Sequence, residues 1–89
     1  MEQTEKIIKN VIQEILEQKP YKVTEIKDEQ RLIEDLGFSS LDIAQLIAHL
    51  EIELDADPFS QGALISSVRT VKSLIEVYQA CLDGKIVRS

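Results

Sequence analysis

Tryptophan is absent from these 89 residues, and cysteine and histidine occur once each, proline twice and glycine three times. Each scarcity excludes something. A lone cysteine, Cys81, cannot close an internal disulfide, and no cysteine–histidine framework exists for a structural zinc, which favours a reducing compartment. With so few glycines and prolines, and with leucine and isoleucine dominating over strand formers, the composition points to an all-α domain. Aromatics are 4% of the chain against 44% hydrophobic residues overall, so the core must be aliphatic. No apolar run approaches the roughly 20 residues that a membrane-crossing helix needs. The N-terminal MEQTEKII is charged and amphipathic, unlike a signal peptide. The expectation is one small domain spanning residues 1–89, cytoplasmic, monomeric, without membrane insertion and of modest stability.

Positive charge is also in short supply. The net charge of −6 argues against a nucleic-acid partner. Residues 28–57 carry −8, from nine acids and the single base Arg31, which leaves +2 for the rest. Such a segment either favours encounter with basic partners or is a solvated face kept for solubility.

What is present is helical patterning. Ile7, Ile8, Val11, Ile12, Ile15 and Leu16 predict a first helix over about 4–18, with Thr4 as N-cap and Lys19-Pro20 ending it. A long connection over 21–38 follows, with Val23, Ile26, Leu32, Ile33 and Leu36 as apolar anchors and Gly37 supplying a positive φ. A second helix is predicted over about 40–54. Ile43, Leu46, Ile47, Leu50 and Leu54 form its inward stripe. Leu41, Ala48 and Ile52 make a second apolar strip beside Ala44 and Gln45, flanked by Asp42, Glu51 and Glu53; it either packs under a neighbouring segment or is displayed to a partner. The segment SQGALISS, 60–67, has the length of a short minor helix. A last helix over about 70–82 has Thr70 as N-cap, Val71, Leu74, Ile75, Tyr78, Cys81 and Leu82 inward, and Gly84 as its stop. Three main helices, one short helix and a long loop after the first make a small four-helix bundle.

Enzymatic motifs fail in turn. GFSSL has Leu41 where a nucleophile elbow requires glycine. His49, the only histidine, stands nine residues from Ser40, wrongly placed for a local base and alone as a metal ligand. DADPFSQGALIS begins like a calcium loop but has Ser60 and Ser66 where glycine and glutamate belong. Cys81 falls at core spacing, as a small hydrophobe would. The chain is not expected to be an enzyme.

The adjacent serines in EDLGFSSLDIAQLI carry more information. Ser39 opens an S-x-x-D capping box with Asp42, which assigns it to N-cap and Ser40 to N1. A side chain at N1 is not needed to satisfy the helix's amides, and the positive end of the helix dipole favours an esterified phosphate there. Equally, both serines could be plain cap-region residues.

The run EDLGFSSLDIAQLIAHLE resembles the acyl carrier protein signature, D-L-G-x-D-S-L-D followed by an acidic second helix. Asp35, Leu36, Gly37, Ser40, Leu41, Asp42, Leu46, Leu50 and Glu51 match it, and Thr70-Val71 resembles the family's entry to the last helix. Helix order, loop and length agree, so the likeness covers nearly the whole chain. It implies that Ser40 receives 4′-phosphopantetheine from coenzyme A through a separate magnesium-dependent phosphopantetheinyl transferase. The arm's thiol would then carry acyl groups between ketosynthase, acyltransferase or other acyl-processing enzymes of fatty-acid or polyketide-type biosynthesis. By the same resemblance, partners with basic docking surfaces meet Asp35, Leu41, Asp42, Gln45, Ala48, Glu51 and Ile52. Leu46, Ile47, Leu50, Val68 and Ile75 are candidates for lining an acyl chain. Three positions depart from the family pattern: Ser39 replaces the usual aspartate, Gln45 a usual acid, and Ile52 an often acidic residue. The less charged outer face suggests a stand-alone carrier of a specialised pathway. The rival readings are an aminoacyl or peptidyl carrier and an unmodified helical interaction module.

Overall fold

The computed structural model describes residues 2–23, 25–59 and 68–84. Among them are three helices, α1 (Glu2–Leu16), α2 (Ser40–Leu54) and α3 (Val71–Leu82), and no strand. The short helix expected over 60–67 lies outside the described residues.

Helix α1 buries Ile8, Val11, Ile12, Ile15 and Leu16, the face its periodicity marks, and packs against both α2 and α3. Its start differs from the expectation. Thr4 lies inside the helix with its side chain buried, so it does not act as the N-cap. The regular helix also stops two residues early. Beyond Leu16 the chain tightens into three-residue bonds, Gln18 N–H to the Ile15 carbonyl (3.1 Å) and Lys19 N–H to that of Leu16 (3.0 Å).

The long connection is not structureless. Its backbone runs beside the entry to α3: the Leu32 N–H donates to the Arg69 carbonyl (2.9 Å), Val71 N–H to Gln30 (3.0 Å) and Lys72 N–H to Asp28 (2.9 Å). Lys9 fastens the same stretch to α1 through Asp28, 3.0 Å away. Leu32 and Leu36 are core residues, and so is Phe38, which the apolar anchors of the loop did not include. Ile33, expected as an anchor, is 56% exposed. It lies in a hydrogen-bonded turn, Gly37 N–H to its own carbonyl, whose inward positions belong to Leu32 and Leu36. Gly37 has φ +74°, and a Cβ there would come within 2.6 Å of the Tyr21 hydroxyl oxygen, which donates to the Leu36 carbonyl. The positive φ favours glycine, and a Cβ would also displace the Tyr21 hydroxyl from its bond.

Helix α2 has the predicted bounds. Leu46 and Leu50 are fully buried and Ile43 and Leu54 pack against the core, while Ile47 is half-buried. Helix α3 buries Val71, Leu74, Ile75 and Tyr78; Phe59 meets Tyr78 edge-on at 6.2 Å between ring centres. Leu82, expected inward, is 45% exposed; the last fully buried residue of α3 is Tyr78, one turn earlier. Cys81 is partly buried and packs against the core.

Candidate functional site

The candidate site is the start of α2. Ser39 has an extended backbone (φ −88°, ψ 174°), and its hydroxyl oxygen accepts the Asp42 N–H at 3.2 Å. In return Asp42 Oδ2 accepts the Ser39 N–H at 2.9 Å, completing the reciprocal box that the spacing predicted. Lys19, just beyond α1, donates to the same oxygen. The Lys19 ammonium and then the Ser39 N–H hold the Asp42 carboxyl below the usual carboxylate range, against the opposing effect of burial.

One position on, Ser40 is exposed, and its hydroxyl has no hydrogen-bond partner among the described residues. The division of labour follows from geometry: the N-cap side chain folds back over the helix amides, whereas the N1 side chain projects away. Ser40 also borders a groove of about 490 Å³ lined by Leu32, Ile33, Ile43, Ala44 and Val68 together with Glu34 and Arg69. An exposed hydroxyl over the positive end of a helix, beside a groove with apolar walls, fits a phosphate-linked arm.

The expected site residues separate into three places. Leu41 (69% exposed) and Ile52 (78%) stand on the outer face of α2 with Gln45, Ala48 and Glu51, so the second apolar strip is displayed rather than covered. Asp42 does not flank that strip: it is 8% exposed and turned into the cap and towards Lys19. Asp35 is exposed but engaged, accepting the backbone N–H and the guanidinium of Arg31, which keep its carboxyl below the usual range. Of the five residues expected to line an acyl chain, only Val68 borders the groove. Leu46, Leu50 and Ile75 lie in the core beneath. Ile43 and Ala44 were missed as groove residues, although they stand three and four positions after Ser40, the spacing that shares a helix face.

Other reactive groups stand apart. His49 Nε2 lies 4.0 Å from Glu14 and 3.8 Å from Glu53, on the flank of α2 away from its N-terminus. Among the described residues no three His, Cys, Asp or Glu side chains are grouped to hold a metal ion. Among the described residues no helix is long and apolar enough to cross a membrane.

Comparison with known proteins agrees with this geometry. The family model for the phosphopantetheine attachment site matches residues 6–77. An acyl carrier protein of Clostridium acetobutylicum is 45% identical over 56 residues, covering 62% of this chain and 73% of that protein. One from Sulfurovum sp. (strain NBC37-1) is 34% identical over 70 residues, covering 78% and 89%. The solution structure of MacpD, an acyl carrier protein from Pseudomonas fluorescens involved in mupirocin biosynthesis, superposes with a TM-score of 0.73 at 34% identity, covering 86% of this chain and 68% of that one. Fold and site together define a helical carrier domain for a covalently attached phosphopantetheine group. The chain belongs to the acyl carrier protein family, whose members are carriers rather than catalysts.

Proposed function

We propose that the chain carries acyl groups on a 4′-phosphopantetheine arm joined to Ser40, and delivers them to enzymes of fatty-acid or polyketide-type biosynthesis. The observation that carries this reading is the contrast within the serine pair. Ser39 is bound into the cap, whereas Ser40 is exposed, without a partner among the described residues, and beside an apolar-walled groove. Ser40 needs no base of its own, because the phosphopantetheinyl transferase supplies activation. The Ser40 oxygen attacks the pyrophosphate of coenzyme A, forming an O–P bond while a P–O–P bond breaks. The adenine nucleotide departs and the serine proton passes to the transferase. When bound, the arm supplies a thiol that holds acyl groups as thioesters.

The displayed strip of Leu41, Gln45, Ala48, Glu51 and Ile52 offers partners an apolar centre with acid at its rim, which suits ketosynthases, acyltransferases and the transferase itself if their docking surfaces are basic. Its low charge for an α2 face, together with the likeness to MacpD, which is involved in mupirocin biosynthesis, supports service in a specialised pathway. The single cysteine supports a cytoplasmic setting.

The test is incubation with coenzyme A, magnesium and a broad-specificity phosphopantetheinyl transferase, followed by intact-mass measurement. Wild type gains one phosphopantetheine, Ser39→Ala gains one, and Ser40→Ala gains none. An unmodified wild type would sink the carrier reading.

A further inference from the structure

We infer that Lys19 is a positioning residue for modification at Ser40, an inference that rests on Ser40 being the attachment point. Asp42 Oδ2 takes both the Ser39 N–H and the Lys19 ammonium, and the two side chains are only 12% and 22% exposed. A carboxylate withdrawn that far from water needs its counter-ion. Lys19 is fixed in turn: its own N–H is bonded to the Leu16 carbonyl at the end of α1, and α1 packs on both other helices. The tie spans 23 residues of sequence and joins the first turn of α2 to the framework rather than to its own loop.

The consequence falls on Ser40. The box alone is a local device, closed by one 2.9 Å bond and one longer bond of 3.2 Å. Without Lys19, the buried Asp42 carboxylate turns towards water and releases the Ser39 N–H. The turn that aims Ser40 outward then loosens. Nucleophilic attack tolerates little misplacement, so the chemical step slows while binding to the transferase is retained. Electrostatics set the opposite sign for the simpler account in which Asp42 meets the transferase directly. Removing Lys19 leaves Asp42 unneutralised and this end of α2 more acidic, which would leave encounter with a basic enzyme unchanged or improved.

The kinetics of transfer from coenzyme A separate the two. Lys19→Met is expected to lower kcat on the order of tenfold with KM little changed, and Lys19→Arg, which can still reach the carboxylate, to restore most of it. The double variant Lys19→Met/Asp42→Asn is expected to be no slower than Lys19→Met alone, because both act through one contact. Amide exchange at Ser39 and Asp42 accelerates in Lys19→Met. It does not in Lys9→Met, which breaks the ion pair to Glu5 within α1 and the tie of α1 to Asp28. If Lys19→Met does not stay folded, Lys19→Gln keeps much of the stem and is expected to show the same kcat loss. Unchanged or raised kcat in folded Lys19→Met or Lys19→Gln, or an equal loss in Lys9→Met, would overturn the inference. Failure of wild type to be modified at Ser40 would overturn the reading beneath it instead.

Discussion

Helices α2 and α3 begin with the same device and put it to different use. At Ser39–Asp42 and at Thr70–Ser73 an N-cap hydroxyl accepts the N3 amide while the N3 side chain accepts the N-cap amide. At α3 both partners are neutral, and the N1 residue, Val71, is fully buried. At α2 the N3 partner is charged and tied to α1 through Lys19, and the N1 residue, Ser40, faces solvent. The lesson is that capping alone does not make a site. One cap seals the core; the other leaves an exposed serine at the helix tip.

The largest break in this comparison comes from exchanging roles at N1. Val71→Ser removes a buried apolar side chain and is expected to cost about 2–3 kcal/mol in urea unfolding. Ser40→Ala leaves stability within about 0.5 kcal/mol while preventing modification. Next is the N3 residue. Asp42→Ala removes a cap and strands Lys19, for about 2 kcal/mol, whereas Ser73→Ala, which loses only neutral bonds, costs about 1 kcal/mol. Equal losses at both caps would show that the tie to α1 adds nothing.

Acid sharpens the difference further. The Asp42 carboxyl is lowered in the folded state, so its contribution is full above the unfolded value of about 3.9. That contribution is lost as pH falls through the lower folded value. Ser73 does not titrate, so the acid limb of thermal stability is expected to flatten in Asp42→Asn and to persist in Ser73→Ala. Asp35 carries the same sign through Arg31 in the preceding turn and accounts for part of the limb that remains. The smallest effect is at the outer face. Glu51→Lys is expected to raise the transferase KM a few-fold, and added salt to reproduce that change in wild type.

Much of this was legible in the sequence because it is local. The bounds of α2, the role of Ser39 set by Asp42 three residues on, the Thr70 cap and the positive φ of Gly37 all depend on spacing within a turn or two. The family resemblance added membership of the acyl carrier proteins and a phosphopantetheine group, both of which the comparisons show. The features that escaped depend on distant partners. Nothing near Asp42 reveals that Lys19, 23 residues earlier, will claim its carboxylate and take it off the outer face. Ile33 and Leu32 are adjacent and equally apolar, and it takes the hydrogen-bonded turn of 31–38, paired with Arg69, to show that Leu32 is the one buried. Thr4 resembles a cap in isolation, yet the helix runs past it.

The central claim, that the free serine rather than the capping one bears the arm, is tested most directly by locating the adduct. Fragmentation mass spectrometry of the modified wild-type chain is expected to place phosphopantetheine on Ser40, with Ser39 bare. An adduct on Ser39 would contradict the account, because the residue bound into the cap would then be the one that reacts.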